Sequence, residues 1–585
     1  MSAPAETLCG AFQATAARHP RLVALRTPAD AVAITWREYA ARVRRIATGL
    51  AKLGVARGHT VALMMGNRPE FHLVDTAAFH LGATPFSLYN ASTPEQVQDL
   101  VGQAGSRVVV CEQRFLPQVT AGRAGTAVEH VVCVDGEAEG TTSLAKLETS
   151  RLRGFDFEQT WRAVEPRDAL TLIYTAGTTG APKGVELSHR AMLAAVAGSN
   201  AVLDVGPRDR ILSFLPAAHV ADRWGTHYSQ IVTGMQVTCL ADRRALLPAL
   251  VETRPTVLGS VPQVWDRLRA SVDALIQGEA DPVRRSALRE AVELGVQVAR
   301  HGRQDEELWS RYRALDEWVL APLRAMIGFD RVRVALCGAA PISVETVEFV
   351  NALGVPLIEG WGMSEVSGLA TMNPLDANRI GTVGRALPGV ELRLAADGEL
   401  LVRGEVLLSG YRDDPARTAE VVDPEGWLHT GDIASIDEDG YVRIVDRKAE
   451  LIVNAEGHSI SPTAVESAVR AECPLIGQLA VIGDRRPYNV ALVVLDPDAV
   501  KSFARDNGLP EEPETWAADP AVLAAVEAGI MAGNERLSTV ERVERFTVLA
   551  TGWRPGGTEL THTLRLRRAP IAEKYAAEIE QLYSP

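Results

Sequence analysis

"LTLIYTAGTTGAPKGVELSH", Leu170 to His189, is the stretch on which the reading of this chain turns. An apolar strand, Leu170 to Tyr174, runs into Thr175-Ala-Gly-Thr-Thr-Gly-Ala-Pro-Lys-Gly184. Glycines let a backbone turn with positive φ and approach a ligand closely. Consecutive N–H groups, the hydroxyls of Thr175, Thr178 and Thr179, and the charge of Lys183 suit phosphate oxygens. The loop is not of Walker A type. Gly177 has Pro182 five residues on, and Lys183 is followed by Gly184 where Ser or Thr is required. Two readings stand at this point: a Gly/Thr-rich turn between strand and helix, or a phosphate loop.

On either side of this stretch, helical and strand patterns alternate. "TWREYAARVRRIATGLAKLGV" places Tyr39, Val43, Ile46 and Leu50 on one helical face, with Gly54 as a stop. "HTVALMMG" and "SRVVVCE" read as buried strands. Between them "TPEQVQDLVGQAG" reads as a helix capped by Thr93, with Gln96 closing a capping box. This rhythm predicts an α/β fold with mostly parallel sheet covered by helices. A helical excursion is expected over residues 266–329. From Gly381 the texture shifts to short alternating runs with Asp397-Gly398 and Asp439-Gly440 as hairpin turns. The last stretch reads as a small α+β unit ending in one helix with Ile571, Tyr575, Ile579 and Leu582 on a shared face.

With 585 residues, the chain exceeds one compact core. Its net charge of -14 argues against nucleic acid as a partner, for which a basic footprint is needed. Cys9, Cys111, Cys133, Cys239, Cys337 and Cys473 are scattered without metal-type spacing and read as buried free thiols of a reducing compartment. "MSAPAETLCGAF" has no basic region followed by an apolar run, and no stretch is apolar enough to span a bilayer. A cytoplasmic protein is expected, with peripheral membrane contact open.

Further blocks follow in order: "LPAAHVADRW", "RPTVLGSVPQVWDRL", "VRVALCGAAPIS", "EGWGMSE", "GWLHTGDIASIDEDGYVRIVDRK" and "ISPTAVESAV". Together with "YTAGTTGAPKG" they resemble the adenylate-forming superfamily of acyl-CoA synthetases, adenylation domains and luciferases. The long-chain acyl-CoA synthetase group is most similar, and the resemblance covers nearly the whole chain. It implies a large N-terminal domain (1–445) of parallel α/β sheets plus a β-barrel-like part. A hinge (446–450, near Ala449) and a small mobile α+β C-terminal domain (451–585) would follow.

The resemblance also implies roles. Thr175, Gly177, Thr178, Thr179, Gly180, Lys183 and Gly184 would hold the β- and γ-phosphates of ATP. Gly338, Ala339 and Ala340 would lie along adenine, with Glu359, Gly360 and Trp361 completing the pocket. Ser364 would approach the α-phosphate, and Glu365, with Thr175, would hold Mg²⁺, a hard cation suited to oxygen ligands. Asp432 would bind the ribose hydroxyls, assisted by Arg447, and His219 would sit near the carboxylate pocket. Without the resemblance, Asp432 reads as a turn residue, His219 as a core histidine and Glu365 as a helix-start carboxylate.

The implied chemistry joins a carboxylate to AMP with release of pyrophosphate, then passes the acyl group to CoA. Two departures stand out. The family keeps a lysine near the C-terminus, in a T-x-K context, that bridges carboxylate and α-phosphate. Here "THTLRLRR" puts Arg565 at that position, and arginine is planar and bulkier than lysine. Lys574 is an alternative source of the charge. Arg567 and Arg568 read as solvated, or as CoA-phosphate contacts. Gln263 stands where the long-chain group often has arginine. Two further readings stay open: an enzyme activating another acid or nitrite, or acylating a carrier protein, and a nucleotide-binding protein without catalysis. The retention of Lys183, Glu365 and Asp432 together argues against the last.

Overall fold

The computed structural model describes residues 5–175, 182–302, 305–456, 458–510, 512–561 and 564–584, with the side chains of 513 and 514 excepted. Two compact units emerge. The first comprises residues 1–339, 346–392 and 402–428; the second comprises residues 340–345, 393–401 and 429–585. The segment 446–450 lies wholly within the second.

In the first unit a nine-stranded and a five-stranded sheet dominate. The five-stranded sheet pairs Thr60–Met64 in parallel with Val108–Cys111 on one side and Thr84–Ser87 on the other. Every residue of Thr60–Met64 is buried, as a strand covered on both faces requires. The helix Trp36–Lys52 starts with the Thr35/Glu38 capping box and buries Tyr39, Val43, Ile46 and Leu50. The helix Pro94–Ala104 has the expected Thr93/Gln96 box and ends at left-handed Gly105. All six cysteines are free and buried.

In the nine-stranded sheet Val257–Ser260 and Val334–Cys337 are parallel neighbours. The helical excursion forms the crossover between them: Pro262–Gln277, Pro282–His301, Glu306–Leu315 and Ala321–Met326, with a π-helical turn at Asp316–Leu320. It begins slightly earlier than its charge pattern indicates, because Pro262 occupies a helix-starting position. A three-stranded antiparallel sheet joins Ala169–Thr175, Lys183–Ser188 and Gly410–Tyr411.

The second unit, from residue 429 on, holds nearly all of the strand Leu428–Ile436 and its antiparallel partner Val442–Arg447, turning at left-handed Gly440. Beyond it, Ile476–Ile482, Asn489–Leu495 and Val543–Val548 form a sheet whose faces alternate. Leu479, Val481, Ala491 and Val493 pack on one side. Ala480, Leu492 and Val494 pack with Trp553, Leu560, Ile571, Tyr575 and Ile579 on the other. The terminal helix is broken at Tyr575 into Arg568–Lys574 and Ala576–Tyr583. The Tyr575 hydroxyl bonds Glu559 and receives Trp553 Nε1, which anchors the ring at the break.

Candidate active site

Two groups of expected residues assemble, one in each unit. In the first unit the strand Ala169–Thr175 delivers Thr175, and its antiparallel neighbour opens with Lys183; the two are register partners. The chain that joins them is short, so strand pairing alone brings both ends of the loop together. Gly177, Thr178, Thr179 and Gly180 lie outside the described residues. Gly184 is buried, and a Cβ there would lie 3.1 Å from the Tyr174 ring.

The strand Leu357–Trp361 carries Glu359, Gly360 and Trp361. Glu359 accepts the Gly381 N–H at 3.0 Å. Its neighbour Val334–Cys337 leads to Gly338 and then to exposed Ala339, the last residue before the segment 340–345 of the second unit, which opens with exposed Ala340. Ala339 has φ of 72°, a left-handed conformation that a residue with a Cβ adopts at a cost. After Trp361 the backbone crosses itself so closely that a Cβ on Gly362 would lie 1.9 Å from the Gly368 carbonyl oxygen. This tight crossing leads into the single helical turn Ser364–Val366, where Ser364 and Glu365 are both buried.

Glu365 is not alone. Its Oε1 accepts the Tyr411 hydroxyl at 2.9 Å, and Lys183 Nζ lies 5.3 Å from the centre of the same ring. Desolvation, then the Glu365 charge, pushes the Tyr411 phenol up, so it remains a donor. Sequence reasoning missed Tyr411; only its strand pairing with Val185, two residues beyond Lys183, reveals it.

A magnesium–nucleotide complex suits this donor set. Among the described residues no cluster of three or more His, Cys, Asp or Glu side chains is arranged to hold a metal. One buried carboxylate is what Mg²⁺ takes when phosphates supply its other ligands. Glu365 has one oxygen engaged by Tyr411 and a second to offer.

His219 sits at a helix start. It caps the short helix Val220–Asp222, its Nδ1 accepting the Ala221 N–H at 3.1 Å, and it is half-buried. The adjacent Asp222 and Arg223 diverge. Asp222 accepts from Ser213 Oγ at 3.1 Å, and burial pushes its carboxyl up to about 7 against the opposing bonds from Ser213 and Thr226. Arg223, fully buried, meets Asp75 at 2.5 Å, Ser87 at 3.0 Å and the Ala217 carbonyl at 3.1 Å. His227 adds a contact to Asp75 at 3.0 Å. Burial raises the Asp75 carboxyl, and the charges of Arg223 and His227 more than reverse this. The chain from Arg223 to Tyr228 is π-helical, an irregularity frequent at functional sites.

In the second unit Asp432 is buried and is the register partner of Arg447, whose Nε lies 2.6 Å from Asp432 Oδ1. Arg565 follows left-handed Leu564, and its backbone exchanges hydrogen bonds with Thr561. Its side chain is exposed, although the surrounding protein and then the Arg447 charge lower its pKa. Arginine stays charged in such a setting. Glu450, Asp432 and Asp446 oppose the lowering.

The expectation of solvated arginines fails at Arg568. It binds Glu466 at 2.6 and 3.0 Å and Glu450 at 3.1 Å, with 18% of its side chain exposed. The buried carboxylate of Glu466 needs this cation, and the sequence gives no sign of the pairing. Arg567 donates to the Gly557 carbonyl at 3.2 Å and is half-buried. Lys574 pairs with Glu559, which engages the alternative cation.

A family profile described as "AMP-binding enzyme" matches residues 12–412, and "AMP-binding enzyme C-terminal domain" matches 449–585. A Mycobacterium tuberculosis protein named putative fatty-acid–CoA ligase fadD11 is 47% identical over 452 residues, covering 76% of this chain and 79% of the relative. Long-chain-fatty-acid–CoA ligase FadD15 of the same organism is 33% identical over 566 residues, covering 94% and 92%. Among solved structures, the anthranilate CoA ligase AuaEII with anthranoyl-AMP is similar with TM-score 0.74 and 19% identity, covering 98% of each chain. That likeness shows the fold.

Proposed function

The chain belongs to the AMP-binding enzyme family, and from that premise we propose that it is an AMP-forming fatty-acid–CoA ligase. The observation that carries the substrate class is likeness over nearly the whole chain to a ligase named for long-chain fatty acids. The geometry within each unit agrees with the chemistry.

In the first half-reaction a carboxylate oxygen bonds to the α-phosphorus of ATP and the bond to pyrophosphate breaks. In the second, the CoA thiol bonds to the acyl carbon and AMP leaves. Proteins accelerate such transfers by positioning groups and stabilising charge. Lys183 and the loop after Thr175 neutralise the β- and γ-phosphates. Glu365, with Thr175, holds Mg²⁺, which when bound offsets the charge of the triphosphate. Ser364 faces the α-phosphate. Gly338, Ala339, Ala340, Glu359, Gly360 and Trp361 shape the adenine pocket. Asp432 accepts from the ribose hydroxyls, and Arg447 orients that carboxylate. Arg565 supplies the charge that draws the substrate carboxylate to the α-phosphate. His219 orders the backbone at Ala221, beside the carboxylate pocket. Residues 446–450, with exposed Ala449 in a turn inside the second unit, would form the hinge on which the residues that follow move between half-reactions.

Purified protein with MgATP, CoA and a panel of fatty acids, aryl acids and nitrite tests the substrate class. AMP release that needs both a fatty acid and CoA supports it. AMP formed with nitrite and an aromatic amine, and none with fatty acids, overturns it.

A further inference from the structure

The segment Leu408–Arg412 has no assigned role, yet it ties together the two elements expected to hold the triphosphate. Leu408 donates its N–H to the Glu365 carbonyl at 2.8 Å. Ser409 and Arg412 donate to the carbonyls of Glu186 and Gly184, each at 2.8 Å, on the strand that opens with Lys183. One backbone segment therefore bridges the Glu365 turn and the Lys183 strand. Tyr411 sits in its centre, 7% exposed. Its hydroxyl reaches Glu365 Oε1 at 2.9 Å, and its ring lies 5.3 Å from Lys183 Nζ. Its own N–H is held by Thr418 Oγ1 at 2.9 Å, which fixes the backbone from the helix Pro415–Val421.

We propose that Tyr411 is a positioning residue that sets Glu365 and Lys183 for the metal-bound triphosphate. Its two contacts act differently. The hydroxyl occupies one carboxylate oxygen and fixes the rotation of the group, so that the other oxygen is presented in one direction. Hydrogen bonds to charged acceptors are among the stronger ones. The ring face attracts the ammonium within the range of cation–π contact and limits where the flexible lysine stem rests. Neither Glu365 nor Lys183 belongs to the residues proposed for adenine or ribose. Tyr411 therefore affects binding of MgATP and leaves AMP alone.

The inference rests on the proposed roles of Glu365 and Lys183, so the experiment includes both. Full-length wild type, Tyr411→Phe, Tyr411→Leu, Glu365→Gln and Lys183→Ala are titrated calorimetrically with MgATP and, separately, with AMP, without acid or CoA. Tyr411→Phe is expected to weaken MgATP about tenfold, the loss of one bond to a charged group. Tyr411→Leu is expected to weaken it about threefold more through loss of the ring face. AMP affinity stays within about twofold throughout. If Glu365→Gln weakens MgATP but Tyr411→Phe does not, the positioning role is wrong and the metal role stands. If neither Glu365→Gln nor Lys183→Ala changes MgATP affinity, the underlying reading fails and the inference with it. If Tyr411→Phe weakens AMP as much as MgATP, the residue supports the fold only, and the inference is overturned.

Discussion

Arg447 Nε lies 2.6 Å from Asp432 Oδ1, and the two residues face each other on adjacent antiparallel strands. The carboxylate is buried and the guanidinium about one-third exposed, so the pair offers a fixed acceptor at a surface. A carboxylate arranged in this way suits two neighbouring hydroxyls. Asp432→Ala is expected to raise the KM for ATP by about ten- to a hundredfold, the worth of one or two charge-assisted bonds. Initial rates against ATP concentration check this. An unchanged KM removes Asp432 from the ribose.

Arg565 is exposed and lies in the field of Arg447, Asp432, Glu450 and Asp446. Arg565→Ala is expected to slow adenylation about a hundredfold or more, the scale on which misplaced charge costs an enzyme. Thioester formation from supplied acyl-adenylate should change little. Arg565→Lys keeps the charge and should retain adenylation within about tenfold of wild type. Equal loss in both half-reactions for Arg565→Ala assigns the residue to structure.

Arg568 is the cation for Glu466, whose side chain is 9% exposed. Arg568→Met strands a buried carboxylate and should cost about 3–5 kcal/mol. Adding Glu466→Gln removes the stranded charge and should recover part of that loss. Urea unfolding monitored on the second unit's transition measures both. A cost below about 1 kcal/mol for Arg568→Met shows the pair to be no more than a surface contact.

Asp222 has its carboxyl raised by burial to about 7. An acid raised in the folded state holds its proton there while the unfolded chain releases it. Its contribution to stability is present below the unfolded value near 4 and is lost as pH rises through about 7. Asp222→Asn removes the titration. The difference between wild-type and variant melting temperatures should therefore shift in the variant's favour from pH 4 to pH 8, then level off. A difference constant with pH shows that Asp222 is ionised throughout.

Much of the fold was legible because its determinants are local. The Thr35 and Thr93 capping boxes, the period of Tyr39, Val43, Ile46 and Leu50, and the Asp439-Gly440 turn all lie within a few residues of what they specify. That turn even brings Asp432 opposite Arg447. Contacts set by tertiary packing were not legible. Tyr411 meets Glu365 across 46 positions and Arg568 meets Glu466 across 102. Asp75 and Arg223 are separated by 148. No spacing rule connects such pairs, so the sequence pattern marks neither Tyr411 nor the partner of Arg568. The capping bond of His219 to Ala221 depends on a helix of three residues, too short to leave a periodic trace.

The central claim is that this chain joins a fatty acid to AMP before CoA takes part. Exchange of labelled pyrophosphate into ATP, measured with MgATP and a long-chain fatty acid but without CoA, tests that claim most directly. Fatty-acid-dependent exchange that is lost in Lys183→Ala is the predicted result. No exchange with any fatty acid, from protein that binds MgATP normally, would contradict it.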